Sequence, residues 1–412
     1  MRIPLVDLQQ QTKLLQPKIM QEIEKIFAST AFIMGKTVTD FEADFSQVAG
    51  GATAVACNSG TDALVLLLEA MGVAAGDEVI TTPFSFFSTA EAISRLGAVP
   101  VFVDIEETTF NLDPRKIEAA ITAKTKAILP VHIFGQPADM EPILAIAKKH
   151  QLKVLEDACQ AIGSSYTFSD GRTLAAGAIG DSAAFSFYPT KNLGGFGDGG
   201  MMTTTDENLA KVIRALRAHG SGKNGKEAYE LLYGETVDLG EAETASADAT
   251  IYDPTKYYNF LIGVNSRLDA LQAAILSVKI KHLAGWNEAR RRLSSRYDEL
   301  FQAAGLADTL ISQQTPDHIF AVKHLYIVKC QEREALCRFL GEAGVATGVY
   351  YPVPLHLQKV YQMGRYKLHY AAGDLPVSEK LCQETMALPL FPEMTVEQQD
   401  YVIAKVKEFY GK

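Results

Sequence analysis

The chain has 412 residues, of which 47% are apolar and 21% are charged, and its formal net charge is −10. This length is typical of two or three domains, and the composition is that of a soluble globular protein with a full core. The acidic balance argues against a nucleic-acid partner, because no basic stripe offsets it. No apolar run is long enough to span a bilayer, and the first residues lack the apolar core of a signal peptide.

The cysteines are odd in number and scattered, and none has the spacing of a metal ligand. Such a set argues against a disulfide framework and predicts a reduced, cytoplasmic protein without a metal site. The five residues are Cys57, Cys159, Cys330, Cys337 and Cys382.

Residues 54–218 alternate short apolar runs with helical stretches. AVACNS precedes the helix DALVLLLEAM, EVITTPF precedes TAEAISRLG, VPVFVDI precedes PRKIEAAI, AILPVHIFG precedes MEPILAIAKKH, and KVLEDA follows. This order predicts an α/β unit with a mostly parallel sheet and helices on both faces. Ligands of such sheets bind beyond the carboxyl ends of the strands. Residues 58–61, 83–88, 157–160 and 186–191 all fall at such ends.

The second half of the chain departs from this alternation. Residues 220–258 are polar and acidic, which predicts an extended loop with a short helix at the surface or at an interface. Residues 266–301 predict a long helical stretch that begins a second domain, and the remainder is typical of a small α+β unit. We therefore divide the chain into a large α/β domain, residues 1–255, and a small α+β domain, residues 256–412.

Two segments of the α/β unit carry residues suited to covalent chemistry. SFYPTKNLGGFGDGG (186–200) sets Lys191 between an apolar strand and a glycine-rich loop, where desolvation lowers the pKa of an amine and frees it to form an imine. VLEDACQ (154–160) puts Asp157 and Gln160 at the end of another apolar run. A surface lysine and a helix-capping aspartate are the structural alternatives. A carboxylate followed by an imine-forming lysine suits pyridoxal phosphate (PLP), and the combination favours that cofactor.

Two further segments fit the same cofactor. In NSGTDAL (58–64) the N–H groups of Gly60 and Thr61 would lie at the positive end of a helix dipole and suit a phosphate, although an ordinary N-cap is the alternative. In TTPFSFFST one aromatic ring could stack on the cofactor, while at least two of Phe84, Phe86 and Phe87 are expected to pack in the core.

The glycine-rich loop after Lys191 also matches a motif of dinucleotide-binding proteins, but its context rules that interpretation out. Gly195, Gly197 and Gly200 match the dinucleotide fingerprint GxGxxG, but the run that follows them, MMTTT, favours a strand. The fingerprint must open a helix, so a nicotinamide cofactor is not expected.

Nearly end to end, the chain resembles the DegT/DnrJ/EryC1/StrS family of PLP-dependent sugar aminotransferases. The shared motifs occur in family order: IPLVDLQQQ, FIMG, NSGTDAL, GDEVITTPFSF, VFVDI, LPVHIFGQPADM, EDACQAIG, SFYPTKNLGGFGDGG, GVNSRLDALQAAIL and GVYYPVPLH. EDACQ together with SFYPTKNLG is the most specific pair. The resemblance implies the aspartate-aminotransferase fold (fold type I), with a mostly parallel seven-stranded sheet and a smaller C-terminal α+β domain.

The resemblance also implies roles at the cofactor. Lys191 would be the catalytic residue, which binds the cofactor covalently and moves the proton. The other cofactor-binding residues would be Asp157 at the ring nitrogen, Gln160 at the ring hydroxyl, Phe86 stacked on the ring, and Gly60, Thr61 and Ser186 at the phosphate.

Further implied roles concern the neighbouring subunit and the substrate. Asn265 would reach the phosphate from the second subunit, which implies an obligate homodimer with shared sites. Arg267, Tyr351 and His356 would line the substrate pocket. The chain departs from the family in a longer segment between His219 and Gly263 and in Tyr188, where histidine or phenylalanine is common.

The implied activity is transfer of an amino group from L-glutamate to a keto group of a nucleotide-linked sugar. IPLVDL with YYPVPLH favours a UDP- or dTDP-linked 3-keto sugar, in amino-sugar biosynthesis for surface polysaccharide or glycosylated metabolites. A 4-keto sugar is the alternative, as are elimination or decarboxylation on the same cofactor and a regulatory protein that holds PLP. The family's dehydratases have histidine in place of the lysine, so Lys191 argues against that branch.

Overall fold

The computed structural model describes residues 1–238 and 257–411. The predicted loop 220–258 is therefore described only in part. Its short helix spans Gly222–Tyr233, and residues 239–256 lie outside the described residues.

Thirteen strands occur in the described part of the chain. They are β1 (Thr53–Cys57), β2 (Glu78–Thr81), β3 (Val99–Phe102), β4 (Thr125–Leu129), β5 (Lys153–Asp157), β6 (Ser165–Thr167), β7 (Thr173–Ala175), β8 (Ser182–Ser186), β9 (Gly200–Thr204), β10 (Ile311–Ser312), β11 (Ile319–Phe320), β12 (Tyr326–Lys329) and β13 (Thr385–Leu388).

Seven of these strands form the central sheet, in the order β1-β9-β8-β5-β4-β2-β3. All neighbours from β8 to β3 pair in parallel, whereas β9 is antiparallel to both β1 and β8. The predicted mostly parallel seven-stranded sheet is therefore confirmed.

The helices of the described residues are α1 (Gln9–Ser29), α2 (Lys36–Val48), α3 (Gly60–Ala70), α4 (Ser88–Arg95), α5 (Pro114–Ile117), α6 (Met140–His150), α7 (Glu207–Leu216), α8 (Gly222–Tyr233), α9 (Ala270–Lys279), α10 (Leu283–Ala303), α11 (Arg333–Glu342), α12 (Lys359–Gln362), α13 (Pro376–Glu384) and α14 (Val396–Phe409). Two differ from the sequence expectation. The helix predicted over PRKIEAAI is one turn followed by a 3-10 turn, and the long stretch 266–301 is broken by a 3-10 turn at Ile280–His282.

No helix among the described residues has the length and apolarity needed to cross a membrane.

The helices cover both faces of the sheet, as the side-chain alternation in β1 illustrates. Val55 and Cys57 belong to the core beneath α3 and α7. Ala54 and Ala56 belong to the opposite core, which α2 and α9 cover. Successive residues of a strand point to opposite faces, so a strand that is apolar throughout has helices on both sides.

A smaller α+β unit follows, in which β12 lies between β10 and β13 and α11 and α14 cover the sheet. Its core contains Tyr297 and Phe301 of α10. Leu276 of α9 instead packs in the core with Phe41 and Phe187. The domain division at residues 255 and 256 stays a prediction, and this packing favours a boundary nearer to α10.

A buried carboxylate fixes the end of β5. Glu156 accepts hydrogen bonds from the Nε2 atom of His132 (2.8 Å) and from the N–H groups of Gly177 (3.2 Å), Ile179 (2.9 Å) and Gly180 (2.8 Å). The Nδ1 atom of His132 accepts the N–H of Ala138, so the ring is neutral and Nε2 is the donor. Four donors stabilise this charge and hold the backbone of the next residue, Asp157.

A buried ion pair joins α2 to the end of α7. Arg217 and Glu42 are 4% and 7% exposed, and their side chains are 2.7 Å apart. Both also bind the backbone of Ala56 in β1. Removing one partner of a buried pair leaves the other charge uncompensated, which costs about 3–5 kcal/mol.

We predict that Glu42→Gln lowers the free energy of unfolding by about 3 kcal/mol, because the buried Arg217 guanidinium loses its counter-charge. Urea unfolding followed by circular dichroism measures this change. Asp40→Asn on the same helix is the control, since Asp40 pairs with Lys36 on the exposed surface and its loss should change stability little. Equal losses in both variants would contradict the assignment.

Candidate active site

A cavity of about 650 Å³ opens at the carboxyl ends of the central strands. Eight of the residues that the sequence singled out line it: Gly60, Thr61, Phe86, Asp157, Gln160, Ser186, Lys191 and Tyr351. The structure thus brings together segments that follow β1, β2, β5 and β8, as expected for a ligand site of a parallel sheet.

Lys191 lies in a turn just beyond β8, where its N–H donates to the carbonyl oxygen of Tyr188 (2.8 Å). The glycine-rich loop that follows is tied to α9, because Lys279 donates to the carbonyl of Gly194 and Gln272 accepts the N–H of Phe196. Burial lowers the pKa of the Lys191 amine, and the nearby Cys159 and Asp157 oppose this effect only in part. The neutral, nucleophilic amine is therefore populated at a lower pH than in an ordinary lysine.

Asp157 is 5% exposed and is held by two protein donors. The hydroxyl of Thr89 donates to Oδ2 (2.8 Å), and the N–H of Cys159 donates to Oδ1 (3.3 Å). Because the hydroxyl proton of Thr89 is committed to Asp157, Ser85, whose Oγ is 2.8 Å from Thr89 Oγ1, must be the donor to Thr89. A carboxylate has about four acceptor positions, so Asp157 keeps acceptor capacity for a group in the cavity.

The amide of Gln160 has a fixed orientation. Its Oε1 accepts the N–H of Phe134 (2.8 Å), and its Nε2 donates to the hydroxyl of Tyr351 (3.0 Å). One N–H of the amide remains for the cavity. Gln160 is therefore a donor there and suits an oxygen such as that of the cofactor's ring hydroxyl.

The start of α3 forms a cradle for an anion. Ser59 caps the helix by accepting the N–H of Asp62 (3.1 Å), whereas no described group accepts the N–H of Gly60 or Thr61. A Cβ atom at position 60 would lie 2.8 Å from both Cys159 Sγ and Ser186 Cβ, so only glycine lets these segments approach. Unpaired N–H groups at a helix N-terminus suit a phosphate.

The three phenylalanines after β2 have different surroundings. Phe84 is fully buried and Phe87 packs in a separate apolar cluster, whereas Phe86 is 58% exposed and lines the cavity. Phe86 is thus the ring available for stacking on a planar ligand.

Three predicted residues do not line this cavity. Asn265 is exposed and Arg267 is partly buried, and both lie in the segment that follows the undescribed residues. His356 is fully buried, with Nε2 3.1 Å from Oε1 of Glu379, between the rings of Phe102 and Tyr370. Within one chain, His356 therefore packs in the interior and does not meet the expectation of a substrate contact.

Three residues at or near the cavity were not predicted from the sequence: Thr89, Asn192 and His324. Thr89 is the last residue of TTPFSFFST, two positions after Phe87, and Asn192 directly follows Lys191. His324 lines the cavity from the segment before β12. Because His324 is far along the chain from Lys191, no local sequence pattern indicated that it lines the same cavity.

The described residues fit PLP: N–H donors for the phosphate, a carboxylate for the ring nitrogen, an amide donor for the ring hydroxyl and an amine for the aldehyde. They contain no cluster of side chains that could hold a metal ion.

Comparison with known proteins agrees with this fit. The model of the DegT/DnrJ/EryC1/StrS aminotransferase family matches residues 13–407. The pleiotropic regulatory protein of Geobacillus stearothermophilus is 45% identical over 410 residues, which cover 100% of this chain and 99% of that protein. The UDP-N-acetyl-3-dehydro-alpha-D-glucosamine 3-aminotransferase of Acidithiobacillus ferrooxidans is 39% identical over 396 residues, which cover 96% of this chain and 95% of that protein.

A solved structure shows the cofactor in a similar fold. The crystal structure of NtdA from Bacillus subtilis with bound cofactor PMP, the pyridoxamine form, has a TM-score of 0.80 and 31% identity, and the match covers 99% of this chain and 83% of that one. The chain therefore belongs to the DegT/DnrJ/EryC1/StrS aminotransferase family, and its cofactor is pyridoxal phosphate.

Proposed function

We propose that this protein transfers an amino group from L-glutamate to the keto group of a nucleotide-linked 3-keto sugar. The observation that carries the proposal is that Lys191 and Asp157 line one cavity with the anion cradle at Gly60 and Thr61. The similarity to a 3-aminotransferase of a UDP-linked sugar supports the substrate class. The proposed role is amino-sugar biosynthesis for surface polysaccharide or glycosylated metabolites.

Three residues of the cavity, Asp157, Gln160 and Lys191, have separate roles in the proposed reaction. When bound, PLP supplies an aldehyde that takes up the amino group and a ring that accepts electrons. Asp157 would keep the ring nitrogen protonated, and Gln160 would donate a hydrogen bond to the ring oxygen. The amine of Lys191 would carry the proton at the substrate carbon.

Incubating the holoenzyme with L-glutamate, and then with matched UDP- and dTDP-linked 3-keto and 4-keto sugars, tests this function. We predict formation of 2-oxoglutarate, a shift of cofactor absorbance to the pyridoxamine form, and an amino-sugar product by mass spectrometry with a 3-keto substrate. Lys191→Ala should abolish both half-reactions and the adduct that borohydride fixes at residue 191.

Three results would contradict the proposal. Product formation only with 4-keto sugars would move the activity to that branch. Undiminished turnover in Lys191→Ala would refute the site. Failure of every keto sugar, in a protein that still binds PLP, would favour the regulatory role that the name of the Geobacillus relative describes.

The lowered pKa of Lys191 gives a pH prediction. We expect covalent capture of PLP by the apoenzyme to have its pH midpoint below 10.5, the ordinary lysine value, because only the neutral amine reacts. Asp157 raises the pKa of Lys191, so Asp157→Asn should shift the midpoint to a still lower pH. Asp198→Asn is the control, since Asp198 lines the same cavity without acting on Lys191. A shift to higher pH in Asp157→Asn would contradict this electrostatic assignment.

The proposed homodimer rests on the exposed segment that leads to Asn265. Ile262 is 91% exposed and Tyr257 is 74% exposed, with Tyr258 and Val264 also exposed. Contiguous apolar exposure of this kind is typical of a protein interface. Asn265 and Arg267 do not line the cavity of their own chain. In a dimer formed through this segment, they would instead reach the cavity of the partner chain.

Mixing two defective variants tests the shared sites. Lys191→Ala and Asn265→Ala should each have little activity alone, and hybrid dimers formed after mild dissociation should regain up to about a quarter of the wild-type activity, since half of the dimers would then hold one intact site. Absence of any recovery, with hybrid formation verified by mass spectrometry, would place Asn265 in the site of its own chain.

The cysteines support the proposed cytoplasmic location. All five lie among the described residues, and none forms a disulfide. Free thiols are typical of proteins in a reducing compartment.

A further inference from the structure

His324 lines the cavity together with Lys191, yet no role above includes it. The residue is 6% exposed and lies just before β12. Its carbonyl oxygen accepts a hydrogen bond from the buried Arg290 (3.2 Å), which fixes the backbone there.

A chain of amides fixes which ring nitrogen of His324 carries the proton. Its Nδ1 lies 3.1 Å from Oδ1 of Asn192. Asn192 uses its Nδ2 to donate to Oδ1 of Asn287 (2.8 Å) and to the carbonyl of Val322 (3.2 Å), so its oxygen can only accept. Asn287 is itself oriented by donating its Nδ2 to the carbonyl of Ile162 (3.0 Å). The proton of His324 therefore lies on Nδ1, and Nε2 is an acceptor.

The ring stays neutral. Burial lowers the pKa of His324 well below its usual value, and the charges of Lys191 and Arg290 act in the same direction. No described residue hydrogen-bonds to Nε2. The Nζ atom of Lys191 likewise has no hydrogen-bond partner among the described residues.

We propose that Nε2 of His324 accepts a hydrogen bond from the amine of Lys191 whenever that amine is released from the cofactor. This contact makes His324 a positioning residue, which aims the amine for proton transfer and does not itself take up a proton. The inference rests on the proposed role of Lys191.

Two substitutions separate this role from a structural one. His324→Asn keeps a donor for Asn192 but removes the acceptor at the position of Nε2. His324→Gln keeps an acceptor near that position but loses the link to Asn192. Single-turnover conversion of the cofactor by L-glutamate, the dissociation constant of PLP and the melting temperature are measured for both variants.

We expect His324→Asn to slow the glutamate half-reaction about tenfold, the effect of one lost hydrogen bond, with the affinity for PLP and the melting temperature near wild type. His324→Gln should keep most of the rate. The reverse order, or equal slowing in both, would overturn the proposal and leave His324 a structural residue. Failure of the wild-type enzyme to react with glutamate would instead refute the proposed function.

Nitrogen-15 NMR of the apoenzyme gives a readout independent of activity. The signals of His324 are identified by their loss in His324→Gln. A protonated Nδ1 and an unprotonated Nε2 at neutral pH are expected, and a ring protonated on Nε2 would overturn the proposal.

Discussion

The carboxylate of Asp157 is almost completely removed from water, and two groups among the described residues donate hydrogen bonds to it, the hydroxyl of Thr89 and the backbone N–H of Cys159. A buried charge is costly unless it is paired or well hydrogen-bonded. The groups able to compensate it lie in the cavity: the amine of Lys191 and, with PLP bound, the protonated nitrogen of the cofactor ring. The electron-accepting property of that ring depends on this one interaction.

The topology of the sheet brings the partners of this carboxylate together. Asp157 ends β5, and the segment with Lys191 follows the parallel neighbour β8. The helix N-terminus that suits the phosphate follows β1, which is separated from β8 by the antiparallel strand β9. Because β9 is antiparallel to both β1 and β8, these two strands run in the same direction and end at the same edge of the sheet. A Cβ atom at Gly200, where β9 begins, would lie 2.4 Å from the backbone of Ser59, so this close approach requires glycine.

The sequence predicted the residues whose signal is local. Lys191 follows one apolar strand, Asp157 ends another, and Gly60 begins a helix with apolar periodicity. Thr89 and His324 escaped prediction because their partners are 68 and 132 positions away, so only the fold reveals the contacts. The role of His356 stays a prediction: its motif contains Tyr351, which lines the cavity, while its own side chain points into an aromatic cluster. The proposed roles of Asn265 and Arg267 would require a second chain, which no pattern within one chain specifies.

The state of the cofactor's ring nitrogen tests the central claim most directly. Holoenzyme loaded with PLP labelled with nitrogen-15 at the ring position reports by NMR whether that nitrogen carries a proton. The account predicts a protonated ring nitrogen across the neutral pH range in the wild type, and its loss in Asp157→Asn. An unprotonated ring nitrogen in the wild type, or a protonated one that persists without the carboxylate, would contradict the account.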